Sequence, residues 1–89
     1  MTAENTTDWR KKLRYRAWHR GSREMDLIMG SFADTNLSQL SDTELQEFEN
    51  LLDLADDDLY AWYAGRQDPP ANLDGPVLRA YLRHKACDR

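Results

Sequence analysis

The chain has almost nothing with which to staple itself. Its 89 residues include one cysteine, Cys87, so an internal disulfide is excluded. His84 lies three residues away on an expected helix, but two ligands do not make a zinc site, and no metal is expected. Valine and isoleucine occur once each, and no stretch alternates apolar with polar, so strand signals are nearly absent. No apolar run approaches the ~20 residues of a membrane span. The first eight residues have no apolar signal core and carry the acids Glu4 and Asp8, unlike a transit peptide. The reading is a cytoplasmic protein, or one of the mitochondrial matrix if the source is eukaryotic. Between residues 25 and 65 there is no lysine or arginine at all.

The charge that is present is segregated. Residues 1–24 hold seven basic and three acidic side chains, residues 25–65 hold ten acids, and residues 66–89 hold five basic and three acidic groups. The basic end could be read as a nucleic-acid patch. The net charge of −4 and the acidic middle would repel a nearby duplex, so nucleic acid is not expected as a partner. The basic segment is expected either to lie against the acidic ones or to face a protein. Length allows one domain with one core, and little room for an enclosed cofactor.

Helical periodicity recurs along the chain. Residues 1–8 read as a disordered lead-in, residues 9–86 as a single helical domain, and residues 87–89 as the C-terminal end. Asp8 is a plausible cap for a first helix over 9–18, with Trp9, Leu13 and Ala17 on one face. A second helix over 23–33 places Met25, Ile28, Met29 and Phe32 in one apolar stripe. Ser41-Asp42-Thr43-Glu44 has the pattern of a capping box and opens a third helix, to about residue 54. Leu45, Phe48, Leu52 and Ala55 are expected on its buried side. Asp56-Asp57-Asp58 begins a short fourth helix with Leu59, Trp62 and Tyr63 inward, ended by Gly65. Asp68-Pro69-Pro70 is a connector, and Pro76 opens a last helix with Leu78, Tyr81 and Leu82 inward. The fold class is therefore all-α: a small bundle of about five short helices.

The informative segment is Arg20-Gly21-Ser22-Arg23-Glu24, between the first two helices. A forked cation, a backbone without a Cβ and a carboxylate on one turn make a compact polar docking surface. The plain alternative is a helix-ending glycine with a solvated Arg20–Glu24 pair worth about 0–1 kcal/mol. Trp18 suits either the core or a partner anchor, and Trp62 suits the core. Asp58 reads first as a helix-start cap and second as a partner contact. The acidic triplet lacks the glycine and distant glutamate of a calcium loop. His19 with Glu24 could suggest acid–base chemistry, but neither a nucleophile nor an oxyanion donor accompanies them, so no catalytic residue is assigned.

Two segments in order sharpen this. Arg20-Gly21-Ser22-Arg23-Glu24-Met25-Asp26-Leu27 resembles the R-G-x-x-E signature of the small flavinylation factors of succinate dehydrogenase, the SdhE family and its mitochondrial relatives. Leu51-Leu52-Asp53-Leu54-Ala55-Asp56-Asp57-Asp58-Leu59-Tyr60-Ala61-Trp62 is similar to that family's second segment. The resemblance spans about residues 10–85. It implies a five-helix assembly factor, not an enzyme, that binds the flavoprotein subunit of succinate dehydrogenase or fumarate reductase. That binding promotes covalent attachment of FAD carried by the partner, and the factor has no cofactor of its own. It implies docking through Arg20, Gly21 and Glu24. Trp18, His19, Arg16, Arg23 and Asp58 are further candidates from their own positions, and the free chain is read as monomeric. Many relatives have arginine where this chain has His19, whose charge varies near neutral pH; Arg16 and Arg23 could compensate. An antitoxin-type or general interaction role is the alternative.

Overall fold

The computed structural model describes residues 5–85. Among these residues it contains five α-helices, two 3₁₀ turns and no strand. The helices are α1 (Asn5–Trp18), α2 (Arg23–Asn36), α3 (Asp42–Leu52), α4 (Asp56–Tyr63) and α5 (Pro76–Arg83). The 3₁₀ turns are Leu37–Gln39, which continues α2, and Ala71–Leu73. The all-α expectation is met. Cys87 lies outside the described residues.

The expected stripes form one core. Met25, Ile28, Met29 and Phe32 of α2 are buried with Leu13 and Ala17 of α1, Leu45, Phe48, Leu51 and Leu52 of α3, Leu59 and Trp62 of α4, and Val77, Leu78 and Tyr81 of α5. The capping box at Ser41 has both halves: Ser41 Oγ accepts from the Glu44 amide at 3.2 Å, and the Glu44 carboxylate accepts from the Ser41 amide at 2.9 Å. A Schellman pair closes α4, with Gly65 N–H donating to the Trp62 carbonyl and Arg66 N–H to that of Ala61.

Three expectations shift. Helix α1 is already formed at Asn5, so Asp8 lies inside it and does not cap it. Helix α3 stops at Leu52, and Ala55 becomes the exposed residue before α4 instead of a core position; Leu51 takes the buried place. Asp58 is not a cap. It sits in the first turn of α4 behind Ala55, which makes no side-chain cap bond. The three aspartates there serve the positive end of the helix dipole by proximity.

The charge segregation now has a structural cause. Helices α2 and α3 carry no basic residue in their last turns, where the dipole favours one. Helix α1 and the turn after it supply the missing cations. The Arg10 guanidinium donates to the carbonyls of Leu37 and Leu40 just beyond α2, both at 2.8 Å. Arg14 pairs with Asp34 of α2, and Arg16 with Asp53 at the end of α3, at 2.6 Å. Trp9 Nε1 adds a bond to Glu49 of α3 at 2.9 Å. Of the two sequence expectations, the basic segment lies against the acidic ones.

Candidate functional site

The turn from α1 to α2 is built by three residues. Gly21 takes φ +112°, a region side chains with a Cβ rarely occupy. The carboxylate of Asp26, one turn into α2, accepts from both the Arg20 and the Gly21 amides. Ser22 caps α2, its Oγ accepting from the Met25 amide at 3.2 Å. The turn is therefore bonded onto the start of α2. Asp26 and Ser22 were visible in the sequence only as positions within the motif. Their spacing, a serine at the helix start and an aspartate one turn on, was the signal that could have found them.

Arg20 faces inward. Its side chain is only 10% exposed. Nη1 donates to the Leu52 carbonyl, Nη2 to that of Leu54 at 2.8 Å, and Nε to the Asp56 carboxylate at 2.8 Å. One guanidinium thus seats the α1–α2 turn on the junction between α3 and α4. The expected Arg20–Glu24 pair is replaced by Arg20–Asp56. Hydrogen bonds to a charged group each contribute about 1.5–3 kcal/mol when the groups are withdrawn from water, so this contact outweighs any exposed pair nearby.

What the turn shows to solvent is different. Gly21, Arg23 and Glu24 are exposed, and among the described residues neither Arg23 nor Glu24 has a side-chain partner. A Cβ built on Gly21 would meet nothing within 4 Å, so its bare face opens outward. A groove of about 430 Å³ lies beside it, lined by Arg20, Gly21, Ser22, Glu24, Met25, Asp56, Asp57 and Tyr60. Arg20 is already paired with Asp56, which leaves Glu24 and Asp57 as its uncompensated charges. Tyr60 on the far wall carries Arg66 over its ring at 5.5 Å.

The other candidates divide. Trp18 is half-buried; its ring lies over Gly30 of α2 and its Nε1 reaches Asp34 at 3.3 Å, so it packs as a wedge between α1 and α2. His19 is exposed and stacks on Tyr15, ring centroids 4.0 Å apart, with Nδ1 donating to the Tyr15 carbonyl at 2.7 Å. Tyr15, at 66% exposure, is the large apolar side chain that sequence reading passed over. Arg16 is tied to Asp53 and Glu49. Asp58 is exposed on α4 and does not line the groove, whereas Asp57 does. Among the described residues no group of three or more His, Cys, Asp or Glu side chains is placed to hold a metal ion, and no helix is long and apolar enough to cross a membrane.

Comparison with known proteins converges on one description. A family model described as flavinator of succinate dehydrogenase matches residues 11–85. The chain is 36% identical over 79 residues to a FAD assembly factor SdhE of Acetobacter pasteurianus, covering 89% of this chain and 72% of that protein. It is 36% identical over 84 residues to a mitochondrial succinate dehydrogenase assembly factor 2 of Cryptococcus neoformans, covering 93% of this chain and 48% of the relative. It is 35% identical over 75 residues to one of Dictyostelium discoideum, covering 84% and 53% respectively. The chain thus spans about half the length of these two mitochondrial relatives.

Proposed function

Because the chain belongs to the family of flavinators of succinate dehydrogenase, we propose that it is a non-catalytic assembly factor. It binds the flavoprotein subunit of succinate dehydrogenase or fumarate reductase and promotes covalent attachment of FAD there. The flavin is the partner's, and this chain brings no cofactor to the reaction. Its contribution is positioning: it holds the flavoprotein so that the flavin and its attachment residue meet in reactive geometry, a kind of alignment that can contribute several kcal/mol. It acts as a monomer, inside the cytoplasm or the mitochondrial matrix, without nucleic acid or membrane.

The observation that carries this reading is the motif turn itself. Gly21 and Glu24 stand exposed on a turn bonded at both ends to the rest of the fold, the bare face of Gly21 open and the Glu24 carboxylate without a partner among the described residues. A rigid, unpartnered polar edge binds with little ordering cost. The proposed docking surface comprises Gly21, Arg23 and Glu24. His19 and Trp18 flank it, and Asp58 lies at its outer limit. Arg16, bound to α3, contributes by holding α1 in place.

The test is covalent flavin on a purified apo-flavoprotein subunit, read as fluorescence in a denaturing gel, with free FAD and with or without this protein. Wild type is expected to accelerate attachment. Glu24→Ala is the cleaner variant, since that carboxylate has no hydrogen bond or ion pair among the described residues and only its place in the first turn of α2 is lost. It is expected to lose the acceleration while its stability changes by less than about 1 kcal/mol. Gly21→Arg is expected to lose it as well, but its φ of +112° adds about 1–2 kcal/mol of backbone strain to the steric block. A full acceleration by Glu24→Ala would remove this turn from the docking surface.

A further inference from the structure

Arg20 is the cation that opens the motif, and each nitrogen of its guanidinium has an acceptor inside the protein. The carbonyls of Leu52 and Leu54 and the carboxylate of Asp56 receive it, and its side chain is 10% exposed. Leu52 ends α3 and Asp56 begins α4, so these three acceptors span the whole α3–α4 junction. That junction has no local cation: no lysine or arginine occurs from residue 25 to residue 65. On the other side, the Arg20 and Gly21 amides are fixed by Asp26. One residue thus joins the motif turn, the end of α3 and the start of α4.

We infer that Arg20 is a positioning residue, not a partner contact: through its bonds to Asp56, Leu52 and Leu54 it sets the distance between the Gly21–Glu24 edge and the first turn of α4. The two walls of the groove belong to these two segments, with Ser22, Glu24 and Met25 on one side and Asp57 and Tyr60 on the other. The flavoprotein then meets both walls as one preformed surface. This deepens the docking reading above and rests on it. Two consequences separate it from direct contact. A lysine keeps the charge but not the fork, and reaches at most a fraction of three acceptors around one planar group. And Asp56, thirty-six positions away in sequence, becomes coupled to Arg20.

The experiment is a double-mutant cycle with Arg20→Lys, Asp56→Ala and the pair. The half-saturating concentration of factor and the plateau rate of flavin attachment are read separately on an apo-flavoprotein subunit with free FAD. Thermal melts of each variant accompany them, with Glu24→Ala as the contact control. Each single variant is expected to raise the half-saturating concentration about tenfold, with the double no worse than either single, as residues sharing one network are non-additive. The plateau is expected to remain at wild type, because saturating factor restores the alignment. A partly unfolded sample would also raise the half-saturating concentration, by the inverse of its folded fraction, so the melts must show each variant more than about nine-tenths folded at the assay temperature for a tenfold rise to count. Retention of wild-type half-saturation by Arg20→Lys, or additive effects in the double, would overturn the positioning role and leave Arg20 as a contact or a bystander. If Arg20→Lys fails to fold, Asp56→Asn is set against Asp56→Ala: the amide oxygen of asparagine still accepts from the Arg20 fork, so Asn is expected to stay much closer to wild-type half-saturation than Ala. Equal effects of the two Asp56 variants would overturn the inference. No acceleration by wild type would instead sink the flavinylation reading, which the Glu24→Ala arm tests independently.

Discussion

Replacing Gly30 with alanine sets two opposed effects against each other. Gly30 lies in the middle of α2, and alanine in a helix interior is favoured over glycine by about 1 kcal/mol. On propensity alone the variant should be more stable. Gly30, however, is the floor on which Trp18 rests: an added Cβ would lie well inside contact distance of three atoms of the indole. The backbone of a buried helix cannot retreat, so the ring must move. Moving it loosens the packing of α1 on α2 and stretches the Trp18–Asp34 bond. Overpacking of this kind costs about 1–3 kcal/mol. The net is a loss of about 1 kcal/mol, which for a domain of this size lowers Tm by about 4–8 °C. Thermal unfolding followed by far-ultraviolet circular dichroism measures it directly. A Tm equal to or above wild type would refute the wedge and show that Trp18 leaves its seat freely. Because Trp18 ends the helix that leads into the motif turn, the same variant is expected to weaken flavinylation.

Three further outcomes are expected. Glu47 of α3 accepts from the Val77 and Leu78 amides at 3.1 Å and so caps α5 from another helix; Glu47→Ala should cost about 1–2 kcal/mol in chemical denaturation, and no loss would dismiss that cap. Tyr81 is fully buried with its hydroxyl donating to the Leu59 carbonyl at 2.9 Å, and burial raises its pKa. Tyr81→Phe should cost about 0.5–1.5 kcal/mol by removing that bond, the carbonyl keeping its helical partner within α4, with helix content unchanged. Burial lowers the pKa of His84, whose Nε2 lies 2.8 Å from Ser31 Oγ. The unfolded chain therefore takes up that proton first, so its contribution is complete above the ordinary histidine pKa of about 6.5 and is lost as pH falls through it. Melts of wild type should decline between about pH 7 and 5 more steeply than those of His84→Gln, and parallel profiles would rule His84 out.

Periodicity and capping chemistry are local, and what they govern was legible. The α2 stripe from Met25 to Phe32, the Ser41–Glu44 box and Pro76 at the start of α5 all stand as spacing predicts. Where two segments must choose each other, the sequence is silent. Nothing in the spacing of Arg20 selects Asp56 over Glu24, since both are carboxylates and the nearer in sequence is the wrong one. Glu47 reads as an ordinary exposed-face residue until α5 is laid beside it. Ala55 continues the apolar rhythm of α3 but falls after the helix has ended, because the Asp56 run starts a new one. The motif could be located by pattern, while the inward turn of its arginine needed the third dimension.

Helix α5 has eight residues, below the ~12–15 at which a helix can hold itself in water. It is held by polar bonds to three other helices: Glu47 of α3 to two amides at its start, the Leu59 carbonyl of α4 at Tyr81, and Ser31 of α2 to His84 at its end. Those anchors exist together only once the other helices are in place. Helix α5, which follows the other four in the chain, is therefore also the last of the five that can dock. A chain stopped before residue 76 would leave Phe32 and Phe48 uncovered on the side where Val77, Leu78 and Tyr81 belong. Such an unfinished product would display an apolar face to the cell's proteases and holdases, and only the arrival of α5 closes it.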